Sequence, residues 1–431
     1  MNHILILGGG ASGMVAAISA AEHAAKDTAV ILLEQNSKLG KKLLATGNGR
    51  CNLDNTTCTV DRYFTSDPQT ASMLLSHIEQ INLQSWFTEH GLLCREAEDG
   101  RLYPYSNQAA DVVNLLIYWL EQLHVQVHTD CRVTEIAQAD DTFTVVTADG
   151  SKFDGNAIIC AMGGNAGPQF GSEGFGIKTA FRSGCQMEPL YPCLVPLKCN
   201  KEQIQNLSGI RVKAAASLYD EAQLIHTEVG EIQFTDYGIS GIAIMQLSGW
   251  LGTQYGLQHP TIRLNLFPQY TEDALTTLLV DRAQRMPNAS IIDYMTGLVH
   301  PQIGLAVWHT CNLGNETRIV SSLQTKEWNL LAQGLQQWVF SDLQDTGWKN
   351  AQTTGGGIAL HQIEPHSFQL KEKHGMYFVG ETVDCAGYCG GYNLHLAFGS
   401  GILAGKHAAE KLKAEKLKMN DLFEESSSVC C

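Results

Sequence analysis

The stretch Met1–Ala21, MNHILILGGGASGMVAAISAA, decides the fold. Its apolar run from Ile4 to Leu7 has the length of a buried strand, the next residues pass through Gly8, Gly10 and Gly13, and an alanine-rich helix follows. That succession is the strand, tight turn and helix of a dinucleotide-binding unit. The glycines act differently, in that Gly8 permits the turn, Gly10 lets the backbone approach a pyrophosphate, and Gly13 lets helix and strand pack closely. The helix start then aims its N–H groups at the phosphates. A second apolar run, Ala29 to Leu33, ends in Glu34, about twenty residues downstream, where a ribose-binding carboxylate is expected.

With 431 residues the chain exceeds one ordinary core, so about two or three domains are expected. An apolar fraction of 44% and a charged fraction of 17% are those of a globular protein. A net charge of −15 argues against non-specific nucleic-acid binding, while leaving room for a local basic groove. No uninterrupted apolar run is long enough for a transmembrane helix, so no membrane partner is expected. The first apolar stretch lacks a basic leader and is broken by Gly8, Gly9 and Gly10, unlike a signal peptide, which makes the cytoplasm the expected location. The thirteen cysteines are scattered without C-x-x-C spacing, which indicates neither a disulfide framework nor a zinc ribbon.

Further along, NSKLGKKLLATGNGRCNLDN (Asn36–Asn55) is dense in glycine and basic residues and reads as a ligand loop. Lys41, Lys42 and Arg50 could compensate phosphate charge or a reduced flavin, while Gly47 and Gly49 free backbone amides to face a ring. Residues 71–91 read as an amphipathic helix, Gly100–Ser106 as a hairpin-like return, and 109–123 as another helix. A strand VQVHT, a β-meander over 133–147 and a buried strand Ala157–Cys160 running into Gly163 and Gly164 complete an α/β segment, 1–188. The texture then turns to short strands over 189–268, to helical spacing over 269–324, and back to strands within about 325–350. At Thr353 a new glycine-rich signature begins, in which a strand near Met376 meets Gly380 and Glu381 and a long helix starts near Asn393. The middle therefore reads as inserted between two halves of one cofactor domain, 1–188 and 351–418, with a loose polar tail over 419–431.

These residues together resemble the BaiN-like family of flavoproteins, which includes aminoacetone oxidase, a bile-acid-dehydroxylation reductase and a ribosomal RNA dihydrouridine synthase. The resemblance rests on GGGASGMVAA, KKLLATGNGRCN, the run Gly163–Gly176, LVPL, GEIQFTDYGISG, TTGGG and the segment YFVGETVDCAGYCGGYNLHLAFGSG. It implies an α/β fold: a discontinuous Rossmann-like FAD-binding domain with an inserted β-barrel-like domain and a small helical subdomain. Carried over by position, Gly8, Gly10, Ala11, Ser12 and Gly13 would line the pyrophosphate, and Glu34 with Gln35 the adenosine ribose. Lys41, Lys42, Gly49, Arg50 and Cys51 would run along the cofactor towards its ring, Val133 would meet the adenine end through backbone groups, and Gly163 and Gly164 would approach the cofactor. Glu381 or Asp384 would reach the ribityl or pyrophosphate region, and Asn393 with Leu394 would offer amides to the flavin pyrimidine edge. Two departures stand out. Asp236 and Ile242 replace a histidine and a proline common in relatives, and Tyr388 and Cys389 occupy a loop where small residues are usual.

For the chemistry itself, Cys51, Tyr388 and Cys389 are the catalytic candidates: a flavin-adjacent thiol, a proton donor after hydride transfer, and one half of a redox pair with Cys385. His395 reads as a packing or surface histidine. No second G-x-G-x-x-G follows a strand in mid-chain, so NAD(P)H would dock transiently or the substrate itself would supply electrons. The expected function is hydride transfer between flavin N5 and a small organic substrate held at the junction of the cofactor and β domains, first as NAD(P)H-dependent reduction of an activated C=C bond. Its rivals are an amine oxidase using O2, a ribosomal RNA dihydrouridine synthase with a basic groove around Lys41, Lys42, Arg95 and Arg101, and a flavin-binding protein without turnover. The oligomeric state stays open.

Overall fold

The computed structural model describes residues 2–252 and 255–428, with side chains described as far as residue 418. The chain divides into two units, Met1–Tyr191 with Thr353–Cys431, and Pro192–Gln352.

The first unit is built on five strands: β1 (Asn2–Leu7), β2 (Thr28–Leu33), β3 (Gln126–His128), β4 (Ala157–Cys160) and β5 (Met376–Phe378). They lie in the order β5-β4-β1-β2-β3, and every neighbouring pair is parallel. A parallel sheet covered on both faces needs continuous apolar strands, and Ile4 to Leu7 and Ile158 to Cys160 are all fully buried. Because β1 has β2 on one side and β4 on the other, the chain reverses its winding at β1. The crevice beyond the carboxyl end of β1 is where such sheets bind ligands.

Helix α1 (Ala11–His23) follows β1 and is buried along its length from Ser12 to Ala20. It packs on β1, β2 and the C-terminal helix α2 (Tyr392–Ser428). A Cβ on Gly401 or Gly405 of α2 would stand 2.3 Å from the carbonyl oxygen of Ser12 or 2.2 Å from that of Ala16. The two helices thus meet backbone to backbone, which explains the small residues Ser12, Ala16 and Ala20 on the face of α1 that meets α2. A meander of Val133–Ala139, Thr142–Thr147 and Lys152–Gly155 also belongs to this unit. Two expectations need adjustment. The helix expected over 71–91 is two helices, Pro68–Glu79 and Leu83–Glu89, because Asn82 (φ 51°) leaves helical space and caps the second through Ser85 N at 3.0 Å. The stretch from 419, expected as a loose tail, continues α2 as far as Ser428, and Cys430 and Cys431 lie outside the described residues.

The second unit carries a seven-stranded sheet that runs from Trp338–Phe340 at one edge to Gln344–Asp345 at the other, all its pairings antiparallel. One buried apolar cluster joins sheet residues such as Phe234 and Trp338 to helical ones such as Trp308 and Leu331. Thr325–Gln336, expected as part of the β-rich insert, is a helix. A capping box of Gln324 and Glu327 starts it, and Trp328, Leu331, Ala332 and Leu335 bury one face at helical spacing. No helix among the described residues is long and apolar enough to cross a membrane.

Candidate cofactor site

The three glycines after β1 differ in what surrounds them. A Cβ on Gly8 (φ 102°) would meet the Ala161 carbonyl oxygen at 2.5 Å, and one on Gly13 the Gly8 carbonyl oxygen at 1.8 Å, but nothing lies within 4 Å of one on Gly10. Packing therefore requires glycine at 8 and 13. At Gly10, the residue before α1, the backbone is open to close approach, which fits a pyrophosphate over the helix start with Ala11 and Ser12 in its first turn. Beside it the buried Glu34 accepts from Gly9 N at 2.7 Å through Oε2, and from Asn36 N at 2.7 Å and Asn36 Nδ2 at 2.6 Å through Oε1. These donors fix the carboxylate, whose remaining lone pairs suit ribose hydroxyls. Gln35 Nε2 donates to the Gly171 carbonyl, and Lys41 Nζ to Asn36 Oδ1 at 2.8 Å.

The second part of the site forms where residues 54–66 meet the loop leading into α2. Ala386–Gly387 pairs antiparallel with Tyr63–Phe64, Tyr388 N donates to the Arg62 carbonyl at 2.9 Å, and Tyr63 OH to the Tyr392 carbonyl at 3.1 Å. Ser66 N and Oγ both donate to Asp384 Oδ2 at 2.7 Å. Gly391 (φ 108°) turns the chain into α2 so tightly that a Cβ there would stand 2.2 Å from the Asp54 carbonyl oxygen. The Asn393 amide is tied back to Gly387, accepting from its N at 2.9 Å and donating to its O at 2.7 Å. His395 Nδ1 lies 2.6 Å from Asp54 Oδ1.

Around this helix start three buried atoms, Asn52 Oδ1, Asp384 Oδ1 and His395 Nε2, have no hydrogen-bond partner. Burial pushes the Asp384 carboxyl above its ordinary 3.8, against the lowering effect of Ser66. Buried polar groups are nearly always paired, so three orphans at one helix start call for an explanation. The ribityl chain and pyrimidine edge of a flavin carry the hydroxyls, carbonyls and imide N–H that would pair them, so the residues present fit FAD at both ends.

Other expected residues have contacts or packing of their own within the protein. Lys42 and Glu381, each read as a cofactor contact, are partners of one another at 2.5 Å. Lys42 also donates to the Ala166 carbonyl at 3.1 Å, and Glu381 Oε1 accepts from Thr354 N at 2.9 Å and Oγ1 at 2.7 Å. Their charges compensate each other and join residues 42, 166, 354 and 381. Gly164 is a packing glycine, since a Cβ would stand 2.3 Å from Thr354 Oγ1, while Gly163 supplies a left-handed turn (φ 69°). Val133 starts the meander, buried, at a bulge in its pairing. At Gly49 (φ 81°) a Cβ would meet nothing within 4 Å, and the guanidinium of the exposed Arg50 lies 5.1 Å from the centre of the Tyr103 ring. Cys51 is fully buried and burial pushes its thiol up to about 12, so it stays protonated at neutral pH. Burial likewise raises the Cys385 thiol, and no disulfide joins it to the half-buried Cys389. Tyr388 is buried, its ring stacked on Phe64 at 4.8 Å. Arg101 pairs with Asp99 at 3.7 Å, and Ile242 opens the helix Ile242–Gly249.

The sequence reading did not name Asn52 or Asp54 and left His395 out of the candidate site. Both Asn52 and Asp54 fall inside the stretch Asn36–Asn55 read as a ligand loop. Only long-range contacts bring them to the start of α2, Asp54 through His395 and Asn52 through its approach to Gly391.

A model of the HI0933-like protein Rossmann domain matches residues 2–407. The chain belongs to that family. Over 95% of its length, and 100% of the relative's, the chain is 33% identical to the 3-dehydro-bile acid delta(4,6)-reductase of Clostridium scindens. It is 26% identical to the ribosomal RNA dihydrouridine synthase of Escherichia coli K12, with 92% of this chain and 95% of that one matched. Among solved structures, the 3-ketosteroid-delta4-(5alpha)-dehydrogenase of Rhodococcus jostii RHA1 matches 95% of this chain and 96% of its own, at 13% identity and a TM-score of 0.46. The chain is an FAD-dependent oxidoreductase.

Proposed function

We propose that the protein reduces a carbon–carbon double bond conjugated to a carbonyl group in a small organic substrate, taking its electrons from NAD(P)H. The observation that carries this reading is the 33% identity over nearly the whole chain to a reductase named for a 3-oxo bile acid with double bonds at positions 4 and 6. The dihydrouridine synthase relative supports the same bond class, because dihydrouridine is uridine with its carbonyl-conjugated ring double bond reduced.

Bound FAD would supply hydride transfer. The chain's own part is to hold it: the Gly10 backbone and the first turn of α1 at the pyrophosphate, Glu34 at the adenosine ribose, Asp384 at the ribityl hydroxyls, and the amides of Asn393 and Leu394 at the pyrimidine edge. Positive dipole at the start of α2 favours the anionic reduced ring. Cys51 serves as packing in this reading, because a buried protonated thiol is a poor nucleophile.

The test is anaerobic mixing of the purified FAD-loaded protein with NADPH. Bleaching of the oxidised-flavin band, followed by its return on adding an α,β-unsaturated ketone, is expected. Bleaching by small amines but not by NADPH would replace this reading with amine oxidation.

A further inference from the structure

We propose that His395, held by Asp54, is a cofactor-facing residue whose Nε2 hydrogen-bonds the pyrimidine end of the bound flavin. This rests on the cofactor reading above.

The geometry begins with the other ring nitrogen. Nδ1 lies 2.6 Å from Asp54 Oδ1, and since a carboxylate only accepts, Nδ1 carries the hydrogen. That bond fixes the ring's orientation and leaves Nε2 as the atom for a second contact. His395 is 4% exposed, yet Nε2 has no partner. A histidine serving packing alone would have either both nitrogens paired or one in water.

Its surroundings point to a ligand. His395 N donates to the Gly391 carbonyl at 2.8 Å, and the unpartnered Asn52 Oδ1 stands 3.1 Å from the Cβ position of Gly391. An orphaned acceptor thus stands beside Gly391, and an orphaned imidazole nitrogen belongs to the residue four positions on, in the first turn of α2. A flavin pyrimidine ring offers an imide N–H that Asn52 Oδ1 can accept, beside carbonyl oxygens that accept from Nε2 when the imidazole carries hydrogens on both nitrogens.

A metal site is the competing use of these side chains, because ligand atoms of Asp54, Cys58 and His395 lie within 4.8 Å of one another. The 2.6 Å Nδ1–Oδ1 separation is a hydrogen bond, shorter than the roughly 3.3 Å that two donors about 2.0–2.1 Å from a tetrahedral zinc would keep. Burial foremost, and then the Asp54 charge, push the Cys58 thiol up to about 12, the reverse of what a metal-binding thiolate needs.

Two variants of the full chain separate the roles. In His395→Asn the amide can reach Asp54 but not the Nε2 position; in His395→Gln it reaches the Nε2 position. FAD affinity, followed by flavin fluorescence on apoprotein, is expected to weaken about tenfold in His395→Asn and to stay within about threefold of the parent in His395→Gln. The midpoint potential of the bound flavin should move only in the asparagine variant. Equal affinity and potential in parent and His395→Asn would overturn the proposal, as would stoichiometric metal in the parent that both variants lose. Should His395→Asn not fold, Asp54→Asn carries the test, since loosening the ring must also weaken FAD binding, and unchanged binding would overturn the proposal. A parent protein that binds no FAD would instead remove the cofactor reading, and this inference with it.

Discussion

At the N-terminal end of the site Gly8 and Gly13 are closed by the protein's own backbone and Glu34 by three protein donors, whereas at the start of α2 three buried polar atoms lack partners. An end that completes its own contacts is a scaffold that folds without a ligand. An end that leaves polar atoms unpaired is less stable alone and has more to gain from one, since each unsatisfied buried group costs about 1–3 kcal/mol. On the proposed reading the N-terminal end anchors the cofactor, and the C-terminal end responds to it.

The largest effects should come from breaking the anchor. Gly13→Ala forces a Cβ to within 1.8 Å of the Gly8 carbonyl oxygen and should lower stability by about 3 kcal/mol or more, seen as a large fall in melting temperature. Gly10→Ala is the matched control. Its backbone (φ −83°, ψ −165°) accepts alanine and its Cβ meets nothing, so melting of the apoprotein should be unchanged while FAD binding weakens. Replacing Glu34 with Gln turns one accepting oxygen into a donor facing donors and should cost about 1.5–3 kcal/mol in chemical denaturation.

Asp384→Asn should act in the opposite sense at the responsive end, stabilising the apoprotein near neutral pH while weakening its hold on FAD. Burial raises the folded-state value of this carboxyl, so the stability linked to its proton is present below its ordinary 3.8 and is lost as pH rises through the folded-state value. The melting advantage of the variant should therefore shrink on acidification. Equal melting curves at every pH would remove Asp384 from the comparison.

The smallest effect lies outside both ends and has the other sign. Burial foremost, then His366 and Lys411, hold His407 below its ordinary 6.5, and its Nδ1 lies 3.0 Å from Tyr377 OH. Its contribution is present above 6.5 and is lost as pH falls through the folded-state value. His407→Gln should flatten the acid side of the stability profile without changing FAD affinity.

The anchor was legible in the sequence because its parts are local: strand, glycines and helix are adjacent, and Glu34 closes the next strand. The parallel sheet and the return of the chain's end to it followed from two such strand-to-helix signatures. At the responsive end the sequence showed a glycine-rich loop before a helix near Asn393, and the resemblance named Asp384, Asn393 and Leu394, but not their partners. Asp54 reaches His395 across 341 positions and Ser66 reaches Asp384 across 318, pairings that no periodicity records. The Lys42–Glu381 ion pair was hidden for the same reason, since its two charges lie far apart in the chain.

Titration of the apoprotein with FAD and, separately, with ADP tests the division most directly. Gly10→Ala should weaken both ligands, because both place phosphates over the helix start, while His395→Asn should weaken FAD and leave ADP unchanged. Equal losses for both ligands in both variants, or an ADP affinity that falls in His395→Asn, would contradict a site with one end that anchors and another that reads the flavin.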